Sequence, residues 1–305
     1  MALVRGDGKP RRKSCPNTAA GFEELAAWLQ RQGVGRVHAC LEATGTYGEP
    51  LATWLHDTGH VVSVVNPAVI HAYARAQLAR SKTDAIDAAL IAHFVATQHP
   101  PAWAPLAPEV RALQALVRRL DALHGMRTQE ANRLAAGVSV AAVHASITAV
   151  LTHLDEQIAQ VQRLIRAHID RHPGLRQQRD LLTTIPGIGE ATAAVLLGEL
   201  FTKRYASARQ AAAFAGLVPR LVESGTLRGR SRLSKVGPAR LRKALYFPAL
   251  AALRFNPTIR ATRDRLLAAG KLNMVIVGAA MRKLIHLAYG VLKTGRAYDP
   301  TCAHP

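Results

Sequence analysis

Val37-His38-Ala39-Cys40-Leu41-Glu42-Ala43-Thr44-Gly45-Thr46-Tyr47-Gly48 decides how the first third of the chain folds. Val37, Ala39 and Leu41 recur at period two, the spacing of a strand with one face buried, and the run ends on Glu42. Ala43 to Gly48 then has the composition of a strand-to-helix turn, with a helix expected near Pro50 to Thr58. Downstream, Val61 to Val65 predicts a second, buried strand closed by Asn66-Pro67. The Ala-rich stretch from Val69 to Ala79 predicts a helix, and Lys82-Thr83-Asp84 opens another toward Thr97. Upstream, Phe22, Leu25, Ala26 and Leu29 are spaced as on a helix face, and Gly33-Val34-Gly35 stops it. The first fifteen or so residues, with Lys9-Pro10-Arg11-Arg12-Lys13, predict an unstructured basic arm. This is the alternation of an α/β domain.

The proline-rich segment from Gln98 to Pro108 ends that alternation and marks a boundary. Beyond it Leu113, Leu116, Leu120 and Leu123 keep a three-four spacing, and two stretches, Glu109 to Arg133 and about Ser139 to His172, predict a long antiparallel helical pair. His172-Pro173-Gly174 breaks it, and short helices with basic loops are expected from Arg176 to about Gly295. The expected domains are therefore 1–98, α/β; 105–175, a helical coiled-coil linker; and 176–296, a helical C-terminal domain.

Composition narrows the function classes. The chain has 305 residues, 49% of them hydrophobic, with 40 Lys+Arg against 20 Asp+Glu and a formal net charge of +20. Such a field attracts polyanions, and nucleic acid is the leading partner. No uninterrupted apolar run reaches the roughly 18 residues of a membrane span, and Met1-Ala2-Leu3-Val4-Arg5 lacks the core of a signal peptide, so a cytoplasmic protein without membrane partners is expected. Cys15, Cys40 and Cys302 are too few and too scattered for a disulfide framework or a paired-cysteine metal site.

Glu42 lies at a predicted strand end, while Asp84 and Asp87 share a helical face. Three converging carboxylates would repel one another unless Mg²⁺ neutralised them. The simpler alternative has Asp84 as a helix cap and Asp87 as a first-turn charge facing the dipole. Ile185-Pro186-Gly187-Ile188-Gly189 precedes a helix of small residues, a pattern of the helix-hairpin-helix, in which Gly187 and Gly189 let the backbone approach a phosphate; a plain connector is the alternative. From Gly225 to Leu245 there is no acid, and Arg228, Arg230, Arg232, Lys235, Arg240, Arg242 and Lys243 form a cationic run that a polyanion would neutralise. Ser224 enters that run, where guanidinium groups would favour its alkoxide as a nucleophile; a turn residue is the alternative.

Seven motifs in order carry a resemblance: Leu41-Glu42-Ala43-Thr44-Gly45-Thr46-Tyr47, Val64-Val65-Asn66-Pro67, Lys82-Thr83-Asp84-Ala85-Ile86-Asp87-Ala88, Ile185-Pro186-Gly187-Ile188-Gly189, Phe214-Ala215-Gly216-Leu217-Val218-Pro219, Ser224-Gly225, and Leu241-Arg242-Lys243-Ala244-Leu245-Tyr246. Together they resemble insertion-sequence transposases that join a RuvC-like DEDD domain to a catalytic serine. That family includes bridge-RNA-guided recombinases and is similar to the pilin-gene invertases. The resemblance implies a RuvC-like, RNase H-fold N-terminal domain, a coiled-coil linker and a C-terminal domain with helix-hairpin-helix and serine loop. It implies that Glu42, Asp84 and Asp87 are the second, third and fourth acids of an Mg²⁺-binding tetrad. It further implies that Ser224 attacks a DNA phosphate in a composite site, that a guide RNA selects the sites by base pairing, and that the protein works as a homo-oligomer.

The first acid of the tetrad belongs to an opening strand of the pattern Ile-Gly-Ile-Asp, which the sequence lacks; Gly6-Asp7-Gly8 is turn chemistry and no substitute. An N-terminally truncated RuvC-like domain without its first strand is the resulting expectation, with little or no catalysis by the chain as written. Two alternatives stay open: a catalytically inactive nucleic-acid-binding remnant, and a RuvC-like structure-selective nuclease that has no use for the serine.

Overall fold

The computed structural model describes the chain except Gly6, Asp7, Thr44, Thr46, 79–82, 221, 222, 225, 226, 229–231 and 302–305. Asp7, Arg230 and Cys302 therefore lie outside the described residues. The chain is mostly helical with small sheets and divides into two units, Met1–Pro105 and Leu106–Pro305.

In the first unit β1 (Ala2–Leu3) pairs antiparallel with β2 (Arg11–Arg12), so the basic arm expected to be unstructured is folded back as a short hairpin. The pairing extends to the terminus, where the Met1 ammonium donates to the Lys13 carbonyl at 2.9 Å. Helix α1 (Ala19–Arg31) starts at Thr18, whose hydroxyl accepts from the Gly21 amide, and buries Phe22, Leu25 and Leu29 along one face. Strands β3 (His38–Glu42) and β4 (Val61–Val65) pair in parallel, with Glu42 opposite Val65. Between them runs α2 (Glu49–Asp57), the crossover that a parallel pair requires. Helices α3 (Pro67–Ala76) and α4 (Asp84–Gln98) follow. Leu25, Leu29, Ala52, Leu55 and Val62 form the core.

The two edges of this strand pair differ. Val61 donates to the Val37 carbonyl and Ala43 to the Val65 carbonyl. By parallel-ladder alternation, the odd-numbered peptide groups of β3 face β4 and those of His38, Cys40 and Glu42 face away. On β4 the outward carbonyl of Val62 accepts from the Trp103 amide at 2.6 Å. The buried hydroxyl of Ser63 lies 3.0 and 2.9 Å from the carbonyls of Pro100 and Pro101. The proline segment expected as a boundary thus covers the β4 edge. Among the described residues, no strand pairs with the other edge of β3.

In the second unit α5 (Pro108–Ala135) and α6 (Ala141–Arg171) form the expected pair. Glu109 meets His168 and Arg127 meets Asp155, positions rising in one helix as they fall in the other, so the pair is antiparallel. Helices α7 (Pro173–Thr183) and α8 (Glu190–Val195) follow, and α8 continues as a π-helical turn, Leu196–Leu200. Next come α9 (Ala208–Phe214), two two-stranded pairs (β5, Pro219–Arg220, with β8, Arg232–Leu233; β6, Glu223–Ser224, with β7, Leu227–Arg228), α10 (Ala239–Phe255), α11 (Pro257–Ala268) and α12 (Asn273–Thr294).

Leu113 of α5, Ile165 of α6, Leu182 of α7, Leu245 of α10 and Leu284 of α12 belong to one core. The stretches expected as a separate linker and C-terminal domain therefore share their interior. Beyond its partner α6, α5 also packs against α8 and the π-helical turn. α10 and α12 are also longer than the short helices expected there. α12 is long and apolar enough by composition to cross a membrane, although Arg282 and Lys283 interrupt its apolar run. Its Leu284, Ile285, Leu287, Ala288 and Val291 are buried in the core, which accounts for their apolarity.

Candidate active site

A cavity of about 910 Å³ in the first unit runs along the whole of β3. Met1 to Arg5, Leu25, Leu29 and one face of α4 contribute to its walls, and so do Glu42, Asp84 and Asp87. Glu42 is carried there by the last residue of β3, half-exposed. Thr83 is the N-cap of α4, its hydroxyl accepting from the Ile86 amide. The cap role that the sequence left open to Asp84 thus belongs to its neighbour. Asp84 and Asp87 occupy the first turn on one face, where the helix dipole favours carboxylates. Cys40, also on the cavity wall, has its thiol pushed up to about 11 by burial and by the Glu42 charge, so it is protonated near neutrality.

The three carboxylates offer the hard oxygen donors that Mg²⁺ takes. They share one cavity, but among the described residues no three acidic, His or Cys side chains gather closely enough to hold an ion. The donor chemistry fits the metal; the ligand set is open, and it lies beside the unpaired edge of β3.

In the second unit Ser224 lies on β6, opposite Leu227 of β7, and Arg228 of β7 stands opposite Glu223. This hairpin follows β5, which pairs with β8 through Arg220 and Arg232. Arg232 and Lys235 are exposed. Close backbone approach braces the base of the region. Gly237 has φ +135 and a Cβ there would stand 2.1 Å from the Phe214 carbonyl, while Gly216, at φ +71, lies against the Val236 carbonyl. Arg242 donates to the carbonyls of Ala215 and Gly237 at 3.2 and 3.0 Å, holding the same junction.

Arg240 and Lys243 are not the uncompensated cations that the local sequence suggests. Arg240 binds Asp121 at 3.0 Å and Glu199 at 2.7 Å, and Lys243 binds Asp121 at 2.9 Å. Arg118 binds Glu199 at 2.8 Å. Burial alone would raise the Asp121 carboxyl, but hydrogen bonds from Lys243 and Arg240 outweigh it and hold the group below the ordinary carboxylate range. The π-helical turn aims Glu199 inward, and the Gly198 carbonyl accepts from the Gln114 amide at 2.9 Å. No periodicity predicts this network, because its acids come from α5 and the π turn. One signal existed: Glu199 is a lone acid in the apolar run Leu196-Leu197-Gly198-Glu199-Leu200.

The glycine turn between α7 and α8 divides its work. Gly187 has φ +105, and a Cβ there would lie 2.8 Å from the Ala252 Cβ and 2.9 Å from the Pro248 carbonyl of α10. Packing therefore accounts for Gly187, whereas Gly189, the N-cap of α8, faces open space. Buried Asn256, which the sequence does not single out, ties this turn to α11: it donates to the Pro186 carbonyl at 3.2 Å and accepts from the Ile259 amide at 3.2 Å. Gly187→Ala is expected to destabilise the unit by about 2 kcal/mol or more, from left-handed strain plus overpacking. Gly189→Ala is expected to cost less, about 0.5 to 1 kcal/mol for exchanging Gly for Ala at an N-cap. Chemical denaturation of the two variants checks the contrast, and equal midpoints would refute it.

Comparisons with known proteins place the chain in a family. The model of the IS110 DEDD group, described as a transposase, matches residues 1–143, and that described as "Transposase IS116/IS110/IS902 family" matches 179–263. The chain is 34% identical over 288 residues to the pilin gene-inverting protein of Moraxella bovis, covering 93% of this chain and 89% of that protein. It has the same identity and coverage with the Moraxella lacunata protein of the same name. It is 27% identical over 224 residues to the transposase for insertion sequence element IS1328 of Yersinia enterocolitica, covering 64% of this chain and 65% of that one. The class is thus a transposase. The chain belongs to the IS110 family of insertion-sequence transposases.

Proposed function

We propose that this transposase cuts and rejoins DNA through Ser224 and bound carboxylates, as an RNA-guided site-specific recombinase whose first unit is RuvC-like. The observation that carries the proposal is the meeting of Glu42, Asp84 and Asp87, from two elements distant in sequence, on the wall of one cavity. Mg²⁺ bound by carboxylates of this set would stabilise charge on phosphate oxygens. Ser224 supplies the nucleophile. Its hydroxyl oxygen bonds to phosphorus as the bond from phosphorus to one sugar oxygen breaks, and the serine proton is balanced by protonation of the departing sugar oxygen. Rejoining reverses the step, with a sugar hydroxyl of the new strand displacing the serine, so the phosphoester bond is exchanged and not hydrolysed.

The open edge of β3 supports a further strand at the cavity, the place at which the resemblance puts the first acid of the tetrad. The exposed Arg232 and Lys235 and the open amide end at Gly189 favour contact with the sugar-phosphate backbone, which positions DNA without reading its sequence. Sequence choice then falls to base pairing by a guide RNA, with the protein acting as a homo-oligomer on paired sites.

The test is incubation of the purified chain with Mg²⁺, guide RNA and paired DNA sites. A denaturation-resistant protein–DNA adduct is expected, little of it from the chain as written, and Asp87→Asn should lower its yield by about 10²-fold or more. If the chain alone is silent, a version extended by a strand ending in Asp should form the adduct. Binding without adduct from both versions would overturn the proposal in favour of a non-catalytic remnant.

A further inference from the structure

The basic hairpin region does not account for all the positive charge of the second unit. On α12 Arg282 and His286 stand one turn apart, with Lys283 beside them, all half-exposed. Arg209, exposed on α9, comes from a helix packed on α12. These three cations gather about one imidazole. Burial first, then the charges of Arg282, Lys283 and Arg209, push His286 down to about 4, leaving it neutral. Its Nε2 is buried and makes no hydrogen bond among the described residues.

Five acids of the second unit pair with other cations. Asp121 and Glu199 bind Arg240, Asp170 and Asp180 bind Arg179, and Asp264 binds Arg263. Among the described residues, Arg209, Arg282 and Lys283 make no ion pair. Three unpaired cations around a neutral ring repel one another, and an anion at their centre relieves that repulsion. The cluster also adjoins the basic region. Leu233 of β8 lies 3.0 Å from the Cβ position of Gly278, one turn before Arg282 on α12. A face of α12 thus leads from the base of that region to the cluster.

We propose that Arg209, Arg282 and Lys283 form a second phosphate-binding site, which continues the path of a duplex DNA backbone from Arg232 and Lys235 along α12. The site rests on the reading of the protein as one that acts on DNA, but it needs neither the serine nor the carboxylates. Recognition there is electrostatic and ignores base sequence, so its signature is counterion release.

Binding of a fluorescent duplex to the full chain, titrated across salt, tests it. Arg209→Ala and the Arg282→Ala, Lys283→Ala double variant are each expected to flatten the slope of log affinity against log salt by about 0.9 for every phosphate that is no longer neutralised. Arg163→Ala, an exposed cation on α6, should leave it unchanged. Unchanged slopes in variants that melt like the parent overturn the site. So does a flattened slope confined to single-stranded RNA, which would assign the face to RNA. Arg209, exposed on its own helix, keeps the test open if the double variant fails to fold. Loss of the covalent adduct with intact salt slopes would count against the proposed chemistry and not against this site.

Discussion

In a chain extended by the strand that carries the first acid, Ser224→Ala is expected to abolish the covalent protein–DNA adduct and to lower strand exchange by about 10⁴-fold or more, the scale seen when a nucleophile is removed from a site that otherwise stays assembled. Duplex affinity at fixed salt should change less than about twofold, because backbone binding comes from cations and the serine contributes none. The contrast is what gives the variant its force. Ser224 sits on a two-residue strand paired with β7, and alanine suits an extended backbone, so the hairpin itself has no reason to unfold. Gel analysis after denaturation reads the adduct, and a strand-transfer assay reads the exchange. Free cleaved ends at the parental rate from the variant would show that water, activated at the carboxylates, is the nucleophile. The protein would then be a nuclease of the RuvC kind.

The second large effect is on stability. Glu199 is 5% exposed and holds Arg118 and Arg240 at 2.8 and 2.7 Å. Glu199→Gln keeps the shape and removes the charge, leaving two guanidinium groups facing each other across α5 and α10. Breaking a buried pair costs about 3 to 5 kcal/mol. Both arginines are about one-third exposed and water screens them, so the lower end, about 3 kcal/mol, is expected. For a unit of this size that is roughly a 6 to 12 °C fall in melting temperature. The pH dependence has a definite sign. The folded-state pKa of neighbouring Asp121 is depressed, so its contribution is complete above the unfolded carboxylate value. It is lost as pH falls through the lower folded value. Calorimetry of parent and variant from pH 7 down to the acid limb checks both statements. Coincident melting at neutral pH would show that the network carries no net stability.

Much of the local structure was legible because it is set by residues close in sequence. The alternation of Val37, Ala39 and Leu41 marks β3, Asn66-Pro67 stops β4 and starts α3, and Thr83 caps α4. The α5–α6 pair follows from leucine spacing. The carboxylates were legible as residues, since Glu42 ends a strand and Asp84 and Asp87 share a helical turn, but their common cavity was not. The basic run misled in part. Arg240 and Lys243 look unopposed because their acidic partners, Asp121 and Glu199, lie on helices far back in the chain. Gly187 looked like a phosphate turn, and its close neighbour proved to be α10. The Pro100–Trp103 segment looked like a plain boundary because proline signals loops, whereas its carbonyls and the Trp103 amide cover a strand edge.

The sequence by itself determined the helices and strands of the first unit beyond its basic arm, the α5–α6 pair, the excess of positive charge, and the ordered motifs of the family. Each of these depends on neighbours within a few positions or on a sum over the chain. Only the tertiary structure decided which cations are free and which are paired, that the helical pair and the C-terminal helices share one core, and that β3 has an open edge along a cavity. Those are properties of groups brought together by folding from distant positions, and their energies depend on separation in space, which no local pattern encodes.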